Sequence, residues 1–484
     1  MSLLRMLGIV TAGGAAVLLA GVFFSLPWWV FASVTGGVGA GALFLAKPRA
    51  AWWCMLALFF VATPSIFFRP DGFQASIFLA HVLLPITLLG TFLHAVARRD
   101  SLGAGTSLMP LLLLVLGMHG LAWFWAPKSE FGLFNVGAMT ANVLLFWCIV
   151  YHVRTVDDLR RLCWALFVGG IICGAGVTAS QWWEPDWKYT PSTYWGAGFT
   201  FFVGRFGGFV ASNHAAAYLV AAGCAAAALR ADACSRVARL GLLLGAGFFL
   251  YAIVLTQSRG ALMALFAAAF AVFALHEGLR RRFIRHALAF VLFVLCCVVV
   301  AEPGYLDRLL IGFGYQGDLI FSEKPEDKQE TQENLSGMSA RFRMWRDGLH
   351  AMRQEPATFL GGLGPGGFVT ITKEPEVHSF WLTFFFDLGL AGVVLQVFIW
   401  IWLISHFARI IKRPIPPALA PFFWAMLAAC LAELGVHGLI DHDLTSMVSR
   451  FTFLFLALAA ATIKVATREQ QEGDDTCPQK YTAS

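Results

Sequence analysis

Charge is what this chain has least of. Asp, Glu, Lys and Arg make up 13% of its 484 residues against 58% hydrophobic ones, whereas a soluble globular domain carries about 25% charged residues. That scarcity excludes an ordinary soluble enzyme, and the net charge of +6 bears on membrane topology rather than on nucleic acid. Cysteine chemistry is lacking as well. The ten cysteines form no CxxC pair, and the two outside apolar runs, Cys234 and Cys477, fall in connections expected in the cytoplasm. Neither a disulfide framework nor a thiolate metal site is expected. The chain also shows no convincing internal repeat, the usual mark of a transporter built from related halves.

What is abundant is apolar sequence in runs long enough to cross a hydrocarbon core, which takes about 20 residues. Candidate spans fall at 6–25, 28–46, 51–68, 75–97, 107–126, 131–151, 161–181, 211–229, 239–257, 261–276, 285–301, 379–408, 417–440 and 446–466. The expected fold is an all-α polytopic membrane protein of about 12–14 transmembrane helices. Helices with short loops occupy 1–301, one long outer loop with short amphipathic helices occupies 302–378, further spans occupy 379–466, and 467–484 form a polar tail.

Alternate connections carry the basic residues: Lys47 and Arg49; Arg98 and Arg99; Arg154, Arg160 and Arg161; Arg230, Arg236 and Arg239; Arg280, Arg281, Arg282 and Arg285; Arg409, Lys412 and Arg413; Lys464 and Arg468. By the positive-inside rule these face the cytoplasm, with both termini, and the first apolar run is a retained helix.

The long loop is where polar chemistry gathers. After a charged stretch at 323–333, Phe342, Trp345, Leu349 and Met352 recur at helical spacing with Arg341, Arg343, Arg346 and Arg353 among them. Such a helix lies along a membrane surface with its arginines near headgroups. Pro356 and the glycines from Gly361 to Gly367 then break it. His378 and Ser379 follow at the mouth of the next apolar run, which carries Gly389 and Gly392. Glu433, His437 and Asp441 share a helix face at i, i+4, i+8; the spacing is not HExxH and describes an internal hydrogen-bonded ladder, with support of the active-site residues from behind by Glu433 and His437 as the lesser alternative. The aromatic cluster from Trp182 to Trp195 fits an interfacial belt better than a sugar platform.

The ordered set Arg341, Trp345, Pro356, Gly361 to Phe368, His378, Ser379, Gly389 and Gly392 resembles the signature of the O-antigen ligase and O-antigen polymerase superfamily, whose ligases show H-[NSQ]-x9-G-x-x-[GTY]. Ser258, Arg259 and Gly260, and Arg205, Gly208 and Asn213, agree with it upstream. The resemblance covers roughly the second half of the chain. It implies a membrane glycosyltransferase of the bacterial inner membrane that takes a glycan from undecaprenyl pyrophosphate and joins it to an acceptor hydroxyl, such as that of lipid A core, on the periplasmic side. It implies neither cofactor nor metal, and no nucleic acid; membrane lipids surround the protein.

The residue types suit that chemistry. Arg259 and Arg341 are the candidates for stabilising the leaving pyrophosphate, because a guanidinium holds phosphate oxygens in pairs and keeps its proton. His378 is the candidate base for the acceptor hydroxyl, giving inversion, or it positions that hydroxyl by hydrogen bonding alone. Arg205, Asn213, Arg343, Arg346 and Ser379 are candidate substrate contacts. Each has a plainer reading: Arg259 snorkelling at a helix end, Arg341 on a solvated face, Asn213 as a helix cap, His378 as a structural histidine. Within the superfamily, a polysaccharide polymerase and a protein O-oligosaccharyltransferase stand as alternatives to the ligase. Outside it stand a lipid-linked glycan transporter and a scaffold without chemistry.

Overall fold

The structure, a computed structural model, describes residues 47–57, 79–99, 105–126, 130–180, 212–256, 258–275, 337–372, 377, 379–439 and 450–475. The expected spans at 6–25, 28–46 and 285–301 and the aromatic cluster at 182–195 lie outside the described residues. Those described form helices and no strand. In chain order they are α1 (Pro48–Ala57), α2 (Leu79–Arg98), α3 (Leu108–Ala122), α4 (Glu130–His152), α5 (Val156–Ala179), α6 (Ser212–Asp232), α7 (Arg236–Thr256), α8 (Arg259–Leu275), α9 (Gly337–Gln354), α10 (Pro356–Gly361), α11 (Gly367–Thr372), α12 (Phe380–Ile411), α13 (Ala420–Cys430) and α14 (Arg450–Asp475). A π-helical turn, Leu431–Val436, and a 3-10 turn, His437–Leu439, continue α13. Among the described residues seven helices are long and apolar enough to cross a membrane, so the chain is an all-α, multi-pass membrane protein.

Two helices form the centre. Helix α6 is alanine-rich, and Ala215 to Ala222 are all fully buried, because small side chains let α5, α7, α13 and α14 approach its backbone closely. Helix α14 is buried from Phe451 to Ala461. The bundle's outer surface is apolar instead: Val237, Leu240, Leu243 and Leu244 of α7 and Val394, Val397, Phe398, Ile401 and Ile404 of α12 are exposed, as a hydrocarbon surround requires.

The basic connections gather at one end of the bundle. Arg160 Nε donates to Asp232 Oδ2 at 2.8 Å, Lys464 Nζ donates to Val150 O at 2.7 Å, Trp402 Nε1 donates to Ser107 Oγ at 2.7 Å and Gln470 Nε2 donates to Ile410 O at 3.2 Å. Helix α5 begins earlier than its apolar run. Thr155 caps it by accepting from Asp158 N, and Arg160 and Arg161 join its first turns through ion pairs with Asp157, Asp158 and Asp232. Helix α14 likewise runs on to Asp475, past the end of its apolar run.

The largest departure from the sequence reading is at α12, expected as one span over 379–408. Gly389 has φ +61° and ψ −146°, outside the helical region, and the chain doubles back there. Gln396 Nε2 donates to Phe380 O at 3.4 Å, and the indoles of Trp381 and Trp400 stack with centroids 5.0 Å apart. Along a straight helix residues so far apart in sequence would be separated by about 24–28 Å. Helix α12 is therefore a helical hairpin with a short limb, 380–388, lying antiparallel on a long limb, 390–411. The short limb is about 14 Å long, less than half a hydrocarbon core.

Candidate functional site

The polar segment 337–372 is built onto that hairpin. Helix α9 turns Met344 and Met352 inward, where they form a small core with Leu363, Phe368, Val377 and Phe386. Trp345 Nε1 donates to the carbonyl of Val377 at 2.7 Å. The glycine-rich stretch between α10 and α11 then meets the hairpin apex: Leu363 N donates to Phe386 O at 2.7 Å and Gly364 N to Asp387 O at 3.1 Å. These two carbonyls lose their intrahelical donors because Gly389 breaks the helix, and the glycine stretch supplies replacements.

The glycines of the motif acquire physical roles here. At Gly389 the positive φ disfavours any side chain, and a Cβ would stand 2.6 Å from Leu360 C and Gly362 N. At Gly392 a Cβ would strike the Phe384 carbonyl on the facing limb. The spacing of the two glycines is thus the spacing of a tight turn and of the first close approach beyond it.

His378, Arg205 and Asp441 lie outside the described residues. Both chain neighbours of His378 are anchored: Val377 by Trp345, and Ser379, which is 1% exposed, by capping the short limb, its Oγ accepting from Leu382 N at 3.3 Å. Arg341 is half-buried on α9, one turn before Trp345. Arg346 on the same helix is exposed and paired with Asp347, Nη2 to Oδ1 3.2 Å. Arg343 lies on α9 and Arg259 opens α8, but their side chains are outside the described part. Ser258, buried, caps α8 through Oγ and Ala261 N at 3.4 Å. Asn213 is in the first turn of α6, beside His214, whose ring stacks on Phe451 at 5.5 Å.

Glu433 and His437 are paired, Oε2 to Nδ1 2.7 Å, and both are fully buried. Glu433 lies within the π-helical turn and His437 directly follows it, and the turn packs against α8. The following 3-10 turn touches the beginning of the short limb, where Gly438 faces Phe380. The turn that follows the Glu433–His437 pair thus meets the residue next to Ser379, at the end of α13 away from the basic connection 409–413. Through Trp345 the arginine helix joins them. The first step of the ladder expected at Glu433, His437 and Asp441 is present.

One polar pair was not legible in the sequence. His119 Nε2 of α3 faces Asp387 Oδ2 of the hairpin at 3.5 Å, both residues almost wholly buried. The available signal was that Asp387 is the sole acidic residue in 379–408, and ionisable residues in apolar runs mark function by default.

Fold and site together define a multi-pass helical membrane protein whose polar chemistry collects around a helical hairpin. Residues 244–397 match the family described as O-antigen ligase, the same superfamily that the motif resembles. The match takes in α8, the arginine helix, the glycine stretch and the apex of the hairpin. No curated protein matches the chain.

Proposed function

We propose that the chain is an O-antigen ligase-like glycosyltransferase that moves a glycan from undecaprenyl pyrophosphate to an acceptor hydroxyl of lipid A core at the periplasmic face of the inner membrane, without metal and with inversion. The observation that carries the reading is the bond from Trp345 to Val377. It joins the arginine helix to the residue directly before His378, so that the two polar halves of the family motif belong to one assembly. In the proposed step the acceptor O–H proton passes to His378 as the acceptor oxygen bonds the anomeric carbon. The bond from that carbon to the pyrophosphate oxygen breaks, and its electron pair leaves on the pyrophosphate. Arg259 and Arg341 meet the charge that grows there, which is where fixed cations lower a barrier most.

Reconstitution of the purified protein with a lipid-linked glycan tests this. Release of polyprenyl pyrophosphate with a new glycosidic bond on lipid A core is the expected result. A bond formed only to a second lipid-linked repeat indicates a polymerase, one formed only to Ser or Thr of a protein indicates an oligosaccharyltransferase, and movement across the bilayer without release indicates a transporter. His378→Ala is expected to abolish transfer and to leave donor binding and membrane insertion intact; normal transfer by that variant would overturn the assignment.

A further inference from the structure

The pair formed by His119 and Asp387 has no part in the step above, yet it sits where three elements meet. Asp387 is the penultimate residue of the short limb. Its backbone carbonyl accepts from Gly364 of the glycine stretch, and its side chain faces α3. His119 is fixed from its other side, because Nδ1 lies 2.9 Å from Val115 O, a carbonyl, and must carry a hydrogen to bond it. Nε2 is then either a bare lone pair or a second N–H. Among the described residues neither Nε2 nor Asp387 Oδ2 has a hydrogen-bond partner; both atoms are buried and face each other at 3.5 Å. A bare Nε2 against an ionised carboxylate would set lone pair against lone pair in a dry place, so the contact is favourable only with a proton between the two atoms.

We propose that His119 and Asp387 are positioning residues for the transfer reaction: their one-proton link holds the hairpin apex against α3 and so fixes the short limb, whose opposite end carries Ser379 and follows His378. The proposal rests on the function proposed above. The short limb is a rigid lever. A tilt at Asp387 is carried about 12 Å along it to Ser379, and a displacement of ~1 Å at a reacting group can cost about 100-fold in rate. The donor's own contacts are expected elsewhere, on the arginines, so loosening the apex reduces turnover rather than donor affinity.

The test uses the full-length reconstituted protein, with rates expressed per folded molecule. His119→Gln keeps an N–H at the position of Nε2, and Asp387→Asn can donate to a neutral imidazole; both are expected to stay within about threefold of the parent. His119→Leu is expected to lose at least ~10-fold in kcat with donor KM unchanged. Amide exchange supplies a readout independent of transfer: the Leu363 and Gly364 amides should exchange faster in His119→Leu and not in His119→Gln. The double variant His119→Leu with Asp387→Leu removes both polar groups and should recover thermal stability, as replaced buried pairs commonly do, without recovering kcat. Full turnover in His119→Leu, equal losses in His119→Leu and His119→Gln, or recovery of kcat in the double variant would each overturn the proposal. If the parent transfers no glycan while the exchange pattern appears, the link stands and the functional reading falls.

Discussion

The indole N–H of Trp345 donates to the carbonyl of Val377 at 2.7 Å, and this contact ties the arginine-bearing helix to the residue before His378. Trp345→Phe preserves the aromatic packing and removes only the donor. A net hydrogen bond of about 0.5–1.5 kcal/mol predicts a fall of roughly 2- to 12-fold in transfer rate at unchanged protein yield. Steady-state kinetics beside a thermal melt measure both, and a parental rate would remove the contact from the catalytic account.

Arg341 and Arg346 share a helix but differ in surroundings. Arg346 is exposed and already paired with Asp347 at 3.2 Å, whereas Arg341 is half-buried. Arg341→Lys keeps the charge and loses the planar fork, so transfer should fall by about tenfold or more, the scale of a charge-assisted bond worth ~1.5–3 kcal/mol. Arg346→Ala should cost much less, because an exposed pair contributes about 0–1 kcal/mol. The reverse ranking in a glycan-transfer assay would shift the pyrophosphate role to Arg346.

Gly389→Ala places a methyl group 2.6 Å from Leu360 C at a backbone angle of φ +61°. Left-handed strain alone costs about 1–3 kcal/mol, so the melting temperature in detergent should drop and transfer should be lost with the hairpin. Gly117→Ala, where nothing lies within 4 Å, is the matched control and should melt with the parent. Equal melting of both variants would argue against the turn.

Glu433 and His437 are fully buried at 2.7 Å. Removing one member of a buried pair costs roughly 3–5 kcal/mol because the other is left behind, so Glu433→Ala should unfold at markedly lower temperature. Glu433→Gln, which still offers an oxygen to the imidazole, should be milder. A variant at Glu433 with parental melting and parental transfer would remove the pair from any supporting role.

Within the described residues the bundle was readable from hydropathy because the long apolar runs became helices, from α4 through α8 and again in α13 and α14. Its edges were less so. Arg160 and Arg161 looked like connection residues, but aspartates on both sides let them join α5. The arginine helix was visible as spacing, and Trp345, Leu349 and Met352 do turn inward. The doubling-back of α12 was hidden because apolarity has no direction: a run long enough to cross once is equally a hairpin, and only the contacts of Gly389 and Gly392 decide. His119 and Asp387 meet only through tertiary packing, and no local pattern couples them.

A limb too short to cross the bilayer has a consequence for how crossings are counted. The segment 380–388 is too short to reach the far leaflet, so it adds nothing to the parity that sets which side each later loop occupies. Reporter enzymes spliced into the chain shortly before Val377 and at the apex near Gly389 should label one and the same compartment, and a third at Arg413, beyond the long limb, the other.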